Sequence, residues 1–230
     1  MNKPKKRAIR DDRSVTSDDA VTAGRAPVKR DENRRQKTEA LERAALTAFL
    51  ARGIEAVSID DITRAAGASK GSFYRYFASK EALVESLVSP VFTDIERAIA
   101  RCAERIGEAT DRSSLYSSYQ ELALALVPIA IHRLDVVRLY LQESRGPGVG
   151  ARGPVVALAT LIDNGSIHLT TVAVNRGLLV IDDPRISALA VVGAIERLAF
   201  SVLTGRLDAS PVDIVGTLIR LVLDGVGRPR

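Results

Sequence analysis

Apolar residues recur every three to four positions along most of the chain, from about Asn33 onward. This period is typical of amphipathic helices, and alternating Val, Ile and Thr runs bounded by hairpin turns are nearly absent. The first helical stretch has four apolar residues on one face, namely Leu41, Ala45, Ala48 and Phe49. Gly53 follows this stretch as a left-handed cap. The pattern therefore predicts an all-α protein.

Three serines mark the starts of further helices: Ser58, Ser69 and Ser79. Asp61 follows Ser58 by three residues and completes a capping-box pattern, and Gly67 ends that helix. The step over residues 58–77 leaves too little chain for two antiparallel packed helices, so we expect a helix-turn-helix motif whose helices cross steeply. These segments predict an amino-terminal three-helix unit that continues into a fourth helix.

Beyond residue 88 the helical pattern continues. Pro90 interrupts the fourth helix, so either this helix kinks or a new segment begins with Ser89 as its cap. Apolar stripes predict further helices near 112–131, 133–145, 155–179, 184–205 and 211–225. We therefore expect a helical carboxyl-terminal domain over residues 89–230.

The net charge of +5 is concentrated at the amino end, where the first 40 residues contain 12 of the 33 basic and 7 of the 28 acidic side chains. Residues 1–33 lack aromatic residues and a sustained period, so we expect them to form a disordered basic arm. Such an arm indicates a polyanionic partner, but charge alone fits a solubilising tail equally well.

Composition and motifs exclude several classes of protein. Cys102 is the single cysteine and there are two histidines, so we expect no disulfide and no metal site. No apolar run is long enough to span a bilayer, and no apolar segment follows the charged start, so we expect no secretory signal and a cytoplasmic protein. Phosphate loops, nucleophile elbows and paired-histidine motifs do not occur, so we expect neither an enzyme nor a cofactor.

The candidate chemistry lies on the outer face of the helix that follows Ser69. Phe73 and Phe77 face the small core, where their role is structural. Five residues cluster on the other side: Lys70, Gly71, Ser72, Tyr74 and Arg75. Lys and Arg pair with guanine or phosphate, and hydroxyls donate to phosphates or base edges. Gly71 lets the backbone approach a groove closely, at a cost of about 1 kcal/mol in a helix. This face therefore indicates DNA binding.

The same residues carry a resemblance to a known family. The run SIDDITRAAGASKGSFYRYF over 58–77, followed by SKEAL over 79–83, resembles the DNA-binding domain of the tetracycline-repressor (TetR) family. The preceding residues 44–53 are similar to that family's first helix. The resemblance covers about 40–88 closely, and we place the TetR-type domain at 34–88. Farther on, the pattern at 183–225 is similar to the family's two dimerising helices.

The resemblance implies a homodimeric transcriptional regulator of double-stranded DNA, with a recognition helix in each of two successive major grooves of a roughly palindromic operator. Residues 184–225 would form the dimer contact, which the apolar faces of the last two helices also favour. Members of the family are mostly repressors that a small-molecule ligand in the carboxyl-terminal domain releases. The alternative is a DNA-binding regulator that senses no ligand.

Carried over residue by residue, the resemblance places Lys70, Gly71, Ser72, Tyr74 and Arg75 against DNA. It assigns phosphate contacts to Ser58, Ser69, Tyr76 and Lys80. A ligand pocket among the helices at 95–179 has these polar and aromatic candidates: Tyr116, Tyr119, His132, Arg138, Tyr140, Glu143 and His168. Each candidate also fits an ordinary surface or core position.

Overall fold

The computed structural model describes residues 19–224, and the side chains of residues 31–223. The described residues contain nine α-helices, one short 3-10 turn (Gly150–Arg152) and no strand. In chain order the helices are α1 (Asp19–Arg52), α2 (Ile59–Ala65), α3 (Lys70–Tyr76), α4 (Lys80–Glu108), α5 (Arg112–His132), α6 (Leu134–Glu143), α7 (Gly153–Asn175), α8 (Pro184–Leu203) and α9 (Pro211–Asp224). The predicted all-α fold is confirmed.

The helix α1 begins at Asp19, well before the predicted start at Asn33. The segment between Asp19 and Asn33 contains good helix formers such as Ala, Arg and Lys. It has no apolar stripe, so hydrophobic periodicity could not predict it as a helix. The described residues up to Ala40 form a unit of their own, in which Arg35 Nε lies 2.8 Å from Glu39 Oε1. The predicted arm at 1–33 lies partly outside the described residues, and its disorder stays a prediction.

Residues from Leu41 onward form a second compact unit, which contains the predicted helix-turn-helix motif. Four helices each contribute a fully buried side chain to the core around this motif: Phe49 from α1, Ile62 from α2, Phe73 from α3 and Leu83 from α4. Burying a side chain of this size contributes about 1.5–3 kcal/mol. The short helices α2 and α3 are therefore held by tertiary packing rather than by their own length.

The predicted caps of these helices are confirmed. Ser58 Oγ accepts from the Asp61 amide at 3.1 Å, and Asp61 Oδ2 accepts from the Ser58 amide at 3.0 Å, so the capping box is reciprocal. Ser69 and Ser79 cap α3 and α4 through their hydroxyl oxygens. Gly67 has φ +62° in the turn between α2 and α3, a backbone conformation that favours glycine.

The helix α4 runs without a break from Lys80 to Glu108, with Pro90 inside it. A new segment capped by Ser89, one of the two sequence alternatives, is therefore wrong. A helix of 29 residues is about 43 Å long, so α4 reaches from the helix-turn-helix core to the carboxyl-terminal helices. The predicted domain boundary at residue 88 lies within this helix and stays a prediction.

The carboxyl-terminal helices pack around α4 and α7. A Cβ at Gly165 of α7 would lie 2.5 Å from Ile99 Cδ1 of α4, so glycine permits this close helix contact. A separate apolar cluster consists of Cys102, Ile106, Leu115, Leu169, Ala173 and Leu223. Burial raises the pKa of Cys102 to about 12, and its Sγ lies 3.5 Å from the Ser118 carbonyl oxygen. The thiol is therefore protonated at neutral pH.

Two stretches, Gly150–Asn175 and Pro184–Leu203, are long and apolar enough to cross a membrane by length and composition alone. The expectation of no membrane span rested on the length of unbroken apolar runs. That measure understates how apolar these two helices are over their whole length. Core and interface helices of water-soluble proteins meet the same criterion. Glu196 and Arg197 lie within the second stretch.

Candidate nucleic-acid interface

The helix α3 buries one face in the core and presents the other to solvent. Phe73 is fully buried, and its ring packs edge-on against Tyr74 with 5.5 Å between the ring centroids. Of the residues predicted on and beside this helix, Ser69, Lys70, Gly71, Tyr74 and Arg75 are exposed, whereas Ser72 and Tyr76 are half-buried. The packing of Phe73 therefore fixes the orientation in which the outer residues face a partner.

Gly71 lies on this exposed face, although the fold does not require a glycine there. Its φ is not positive, and a Cβ at this position would meet no heavy atom within 4 Å. Glycine inside a helix destabilises the fold by about 1 kcal/mol relative to alanine. No contact among the described residues therefore accounts for the missing side chain.

Lys70 links the two helices of the motif while it stays open to solvent. Its Nζ lies 3.0 Å from Asp60 Oδ1 and 3.3 Å from Asp60 Oδ2. The hydrogen bond to Asp60 raises the pKa of Lys70, so the ammonium stays charged. Because both side chains are more than half exposed, a phosphate can replace Asp60 as the partner of the ammonium.

Two arginines beside the motif were missed by the site prediction. Arg52 Nη2 lies 3.5 Å and Arg64 Nη1 lies 3.7 Å from the carboxylate of Asp61. Hydrogen bonds from Ser58 lower the pKa of Asp61, and the two arginines lower it further. The side chain of Arg64 is 79% exposed, so it adds positive charge beside α3. The spacing of Asp61 and Arg64, three residues apart on one helix, is the sequence signal that identifies this pair.

The predicted phosphate contacts Ser58 and Ser69 act as helix caps in this structure. The Ser58 hydroxyl donates to Asp61 Oδ2 at 2.8 Å, and Ser69 Oγ accepts from the Ser72 amide at 3.1 Å. Both serines are exposed. Their phosphate contacts stay predictions, and their capping bonds account for these residue types within the fold.

Lys80, the first residue of α4, lies just after the motif and has different partners from Lys70. Its Nζ donates to the carbonyl oxygens of Ile54 at 2.8 Å, Val57 at 3.0 Å and Glu55 at 3.5 Å. These carbonyls belong to the loop between α1 and α2. An ammonium has three donors, and here all three point at the loop. Lys80 therefore holds the loop against α4, and its phosphate contact stays a prediction.

Of the seven ligand candidates, Arg138 forms an exposed ion pair with Asp135 at 3.2 Å, and the other six do not converge on one cavity. Tyr116 lines a cleft of about 250 Å³ between α5 and α9. Tyr119 bonds Thr170 through its hydroxyl, and burial raises the pKa of Tyr119. His132 and His168 are exposed. A ligand site built from these residues therefore stays a prediction.

Tyr140 and Glu143, the other two candidates, lie one turn apart on α6 and are both engaged with protein groups. The Tyr140 hydroxyl donates to the carboxylate of Glu196 on α8. Burial raises the pKa of Tyr140, and the bond to Glu196 raises it further, so the hydroxyl remains a donor. Glu143 is 5% exposed and its Oε2 lies 2.8 Å from Arg152 Nε. These contacts explain the burial of both polar side chains without a ligand.

A second cleft, of about 580 Å³, lies between α4 and α5. Two of its lining residues, Arg105 and Glu121, form an ion pair at 2.7 Å, and Cys102 lies beside them. Across the described part of the chain, no group of three or more His, Cys, Asp and Glu side chains is placed to hold a metal ion. The carboxyl-terminal helices thus offer mixed apolar and charged clefts, with no metal cluster among the residues described.

Comparison with known proteins identifies the amino-terminal part. Residues 42–87 match the model of a family described as bacterial regulatory proteins, tetR family. The matched segment contains both helices of the motif, so the resemblance drawn from the sequence is confirmed.

Two curated repressors match beyond the family model. The HTH-type transcriptional repressor DhaR of Mycobacterium sp. (strain GP1) is 43% identical over 56 residues, which are 24% of this chain and 28% of DhaR. The HTH-type transcriptional repressor KstR2 of Rhodococcus jostii (strain RHA1) is 31% identical over 113 residues, which are 47% of this chain and 53% of KstR2. The chain therefore spans about half or less of the length of these relatives.

A solved structure matches over a larger share of the chain. The transcriptional regulator FadR from Bacillus subtilis, in complex with stearoyl-CoA, superposes with a TM-score of 0.61 at 17% identity, over 82% of this chain and 99% of FadR. At this identity the likeness shows a shared fold. Over residues 42–87, the chain thus matches the amino-terminal domain of the tetR family of bacterial regulatory proteins.

Proposed function

We propose that this chain is a sequence-specific DNA-binding transcriptional regulator, a homodimeric repressor that a small-molecule ligand releases from its operator. The observation that carries the proposal is the outer face of α3. It presents Lys70, Tyr74 and Arg75 to solvent around a glycine that the fold itself does not need. The major groove of B-DNA admits one helix, and these side chains have the donors that bases and phosphates accept.

The exposed residues fall into two groups, those suited to reading bases and those suited to contacting phosphates. Arg75 has the fork of donors that pairs with guanine O6 and N7, so it is the candidate for base reading. Lys70 and Arg64 are flexible, exposed cations, which suit phosphates and give no sequence preference. Phosphate contacts of this kind make DNA affinity fall steeply as salt rises.

The apolar surface of α8 supports the homodimer. Ile186, Leu189 and Phe200 are 70%, 44% and 38% exposed within the single chain. Clustered exposed apolar side chains on one helix are typical of an interface, and a two-fold dimer places two copies of α3 about 34–36 Å apart on a palindromic site. Sedimentation of Leu189→Glu should show monomers, whereas Leu124→Glu on α5 should stay dimeric. If both variants remain dimeric, the proposed interface is refuted.

The ligand is a separate part of the proposal. FadR from Bacillus subtilis has this fold and was solved with stearoyl-CoA, so a long-chain acyl-CoA is the first ligand to test. Stearoyl-CoA should raise the melting temperature and weaken the DNA complex, and free coenzyme A should do neither. The scatter of the six candidate residues favours the alternative, a regulator without a ligand. If stearoyl-CoA changes neither the melting temperature nor the DNA complex, this ligand is excluded.

The decisive experiment is selection of bound DNA from a random pool, followed by gel shifts on the enriched sequence. The expected result is a roughly palindromic site whose half-sites lie about one helical turn, or a multiple of it, apart. Failure to enrich any sequence, even at low salt, would overturn the proposal. We place this regulator in the cytoplasm, without catalytic activity, as the curated relatives are transcriptional repressors.

A further inference from the structure

The loop between α1 and α2, residues 53–58, is held by charged side chains from two distant parts of the chain. Ile54, which is fully buried, has both of its backbone groups engaged. Its carbonyl oxygen accepts from Lys80 on α4 at 2.8 Å, and its N–H donates to Glu143 Oε1 on α6 at 3.3 Å. The backbone position of this loop therefore depends on side chains outside the helix-turn-helix motif.

Glu143 is itself fixed by several contacts. Its second oxygen accepts from Arg152 Nε at 2.8 Å, and both side chains are largely buried. Gln142 Nε2 donates to Glu143 Oε1 at 3.1 Å and to the Phe49 carbonyl at the end of α1 at 3.2 Å. A Cβ at Gly53 would lie 3.2 Å from Glu143 Oε1. Hydrogen bonds from Arg152, Gln142 and Ile54 thus hold the carboxylate of Glu143 directly against the loop.

The same end of α6 also contacts α8. The Tyr140 hydroxyl donates to Glu196, and Arg145 Nη2 lies 2.6 Å from Glu196 Oε2. Hydrogen bonds therefore connect α8, the helix with the exposed apolar face, to α6, and connect α6 to the loop. The loop leads directly into α2, so these hydrogen bonds reach the start of the motif.

We propose that Glu143 is a positioning residue, which fixes the orientation of the helix-turn-helix motif relative to the carboxyl-terminal helices. This inference rests on the proposed function, because orientation matters when two motifs of a dimer bind one operator. With Glu143 in place, the two copies of α3 keep one separation. Without it, each motif still reads its own half-site, but the dimer tolerates other separations.

The test compares Glu143→Gln with Asp135→Asn, which removes a carboxylate from an exposed ion pair on the same helix. Gel shifts use the selected operator, the operator with extra base pairs between its half-sites, and a single half-site. We expect Glu143→Gln to reduce the preference for the native spacing roughly fivefold or more, while single-half-site affinity and the Asp135→Asn variant stay unchanged. Equal losses on all three duplexes, or no change in spacing preference, would overturn the proposal.

A second measurement does not need DNA. Hydrogen exchange of the Ile54 amide should accelerate about tenfold or more in Glu143→Gln and stay unchanged in Asp135→Asn. If Glu143→Gln does not fold, Arg152→Lys, which keeps the positive charge, provides the same comparison. Unchanged Ile54 exchange would show that Glu143 does not hold the loop. If the wild-type protein binds no DNA, the proposed function is refuted instead. The exchange experiment needs no DNA, so it distinguishes a failure of the Glu143 inference from a failure of the proposed function.

Discussion

Replacement of Lys80 by methionine should destabilise the fold, although Lys80 lies beside the motif that we assign to DNA binding. The methionine side chain fills a similar length but removes the ammonium. Three loop carbonyls, those of Ile54, Val57 and Glu55, then lose the bond from the ammonium, and the Ile54 carbonyl keeps only a bond from the Val57 amide at 3.4 Å. Ile54 and Val57 are fully buried, so water cannot easily replace the lost bonds.

The structure sets the size of this effect. A hydrogen bond with a charged group contributes about 1.5–3 kcal/mol net, and two of the three bonds have good distances of 2.8 and 3.0 Å. Both bonds come from one ammonium, so their contributions are not fully additive, and we expect a loss of about 2–4 kcal/mol in the free energy of unfolding. For a chain of this size, that lowers the melting temperature by about 4–16 °C.

Thermal unfolding followed by circular dichroism measures the change, with Lys70→Met as the matched control. Lys70 forms an exposed pair with Asp60, so its replacement should leave the melting temperature nearly unchanged and weaken DNA binding at low salt. If Lys80→Met melts at the wild-type temperature and loses only DNA affinity, the ammonium does not hold the loop in solution. The interpretation of Lys80 as a structural residue would then be refuted.

Three further predictions concern single residues. Gly71→Ala should stabilise the fold by about 0.5–1 kcal/mol in chemical denaturation, because its Cβ meets no atom, and should weaken operator binding in a gel shift. Arg75→Ala should lose about 1–3 kcal/mol of discrimination at one or two base pairs without a change in melting temperature, and a uniform loss across all sequences would contradict this. Hydrogen bonds from Arg185 lower the pKa of Asp183 from 3.8 to about 2, so its contribution to stability is present above pH 3.8 and is lost as pH falls through about 2. The melting temperatures of Asp183→Asn and wild type should therefore converge on acidification, and a difference that grows would contradict the sign.

Local sequence was sufficient for the motif and its capping. The serine at 58 and the aspartate at 61 interact within one turn, so their spacing alone specifies the capping box. The inward direction of Phe73 follows equally from helical periodicity. Such features depend on neighbours a few residues away, and the sequence contains all of the information they need.

Long-range contacts could not be predicted in the same way. Glu143 was assigned to a ligand pocket from its residue type, but it bonds the amide of Ile54, 89 residues earlier in the chain. Lys80 was assigned to phosphate from the family resemblance and its place at the start of the fourth helix, and it bonds carbonyls 23 to 26 residues before it. A charged side chain offers the same donors or acceptors in either role, so only the packing of helices decides which partner it meets.

Because Cys102 is buried, the rate at which its thiol is chemically modified reports how often the surrounding helices open. The thiol lies between α4 and α5, and its raised pKa leaves almost no thiolate at neutral pH. The thiol lines the cleft between α4 and α5 but is 2% exposed, so an alkylating reagent reaches it chiefly when these helices part. Since the sequence has no other cysteine, the rate of modification counts openings at that one place, without an introduced label.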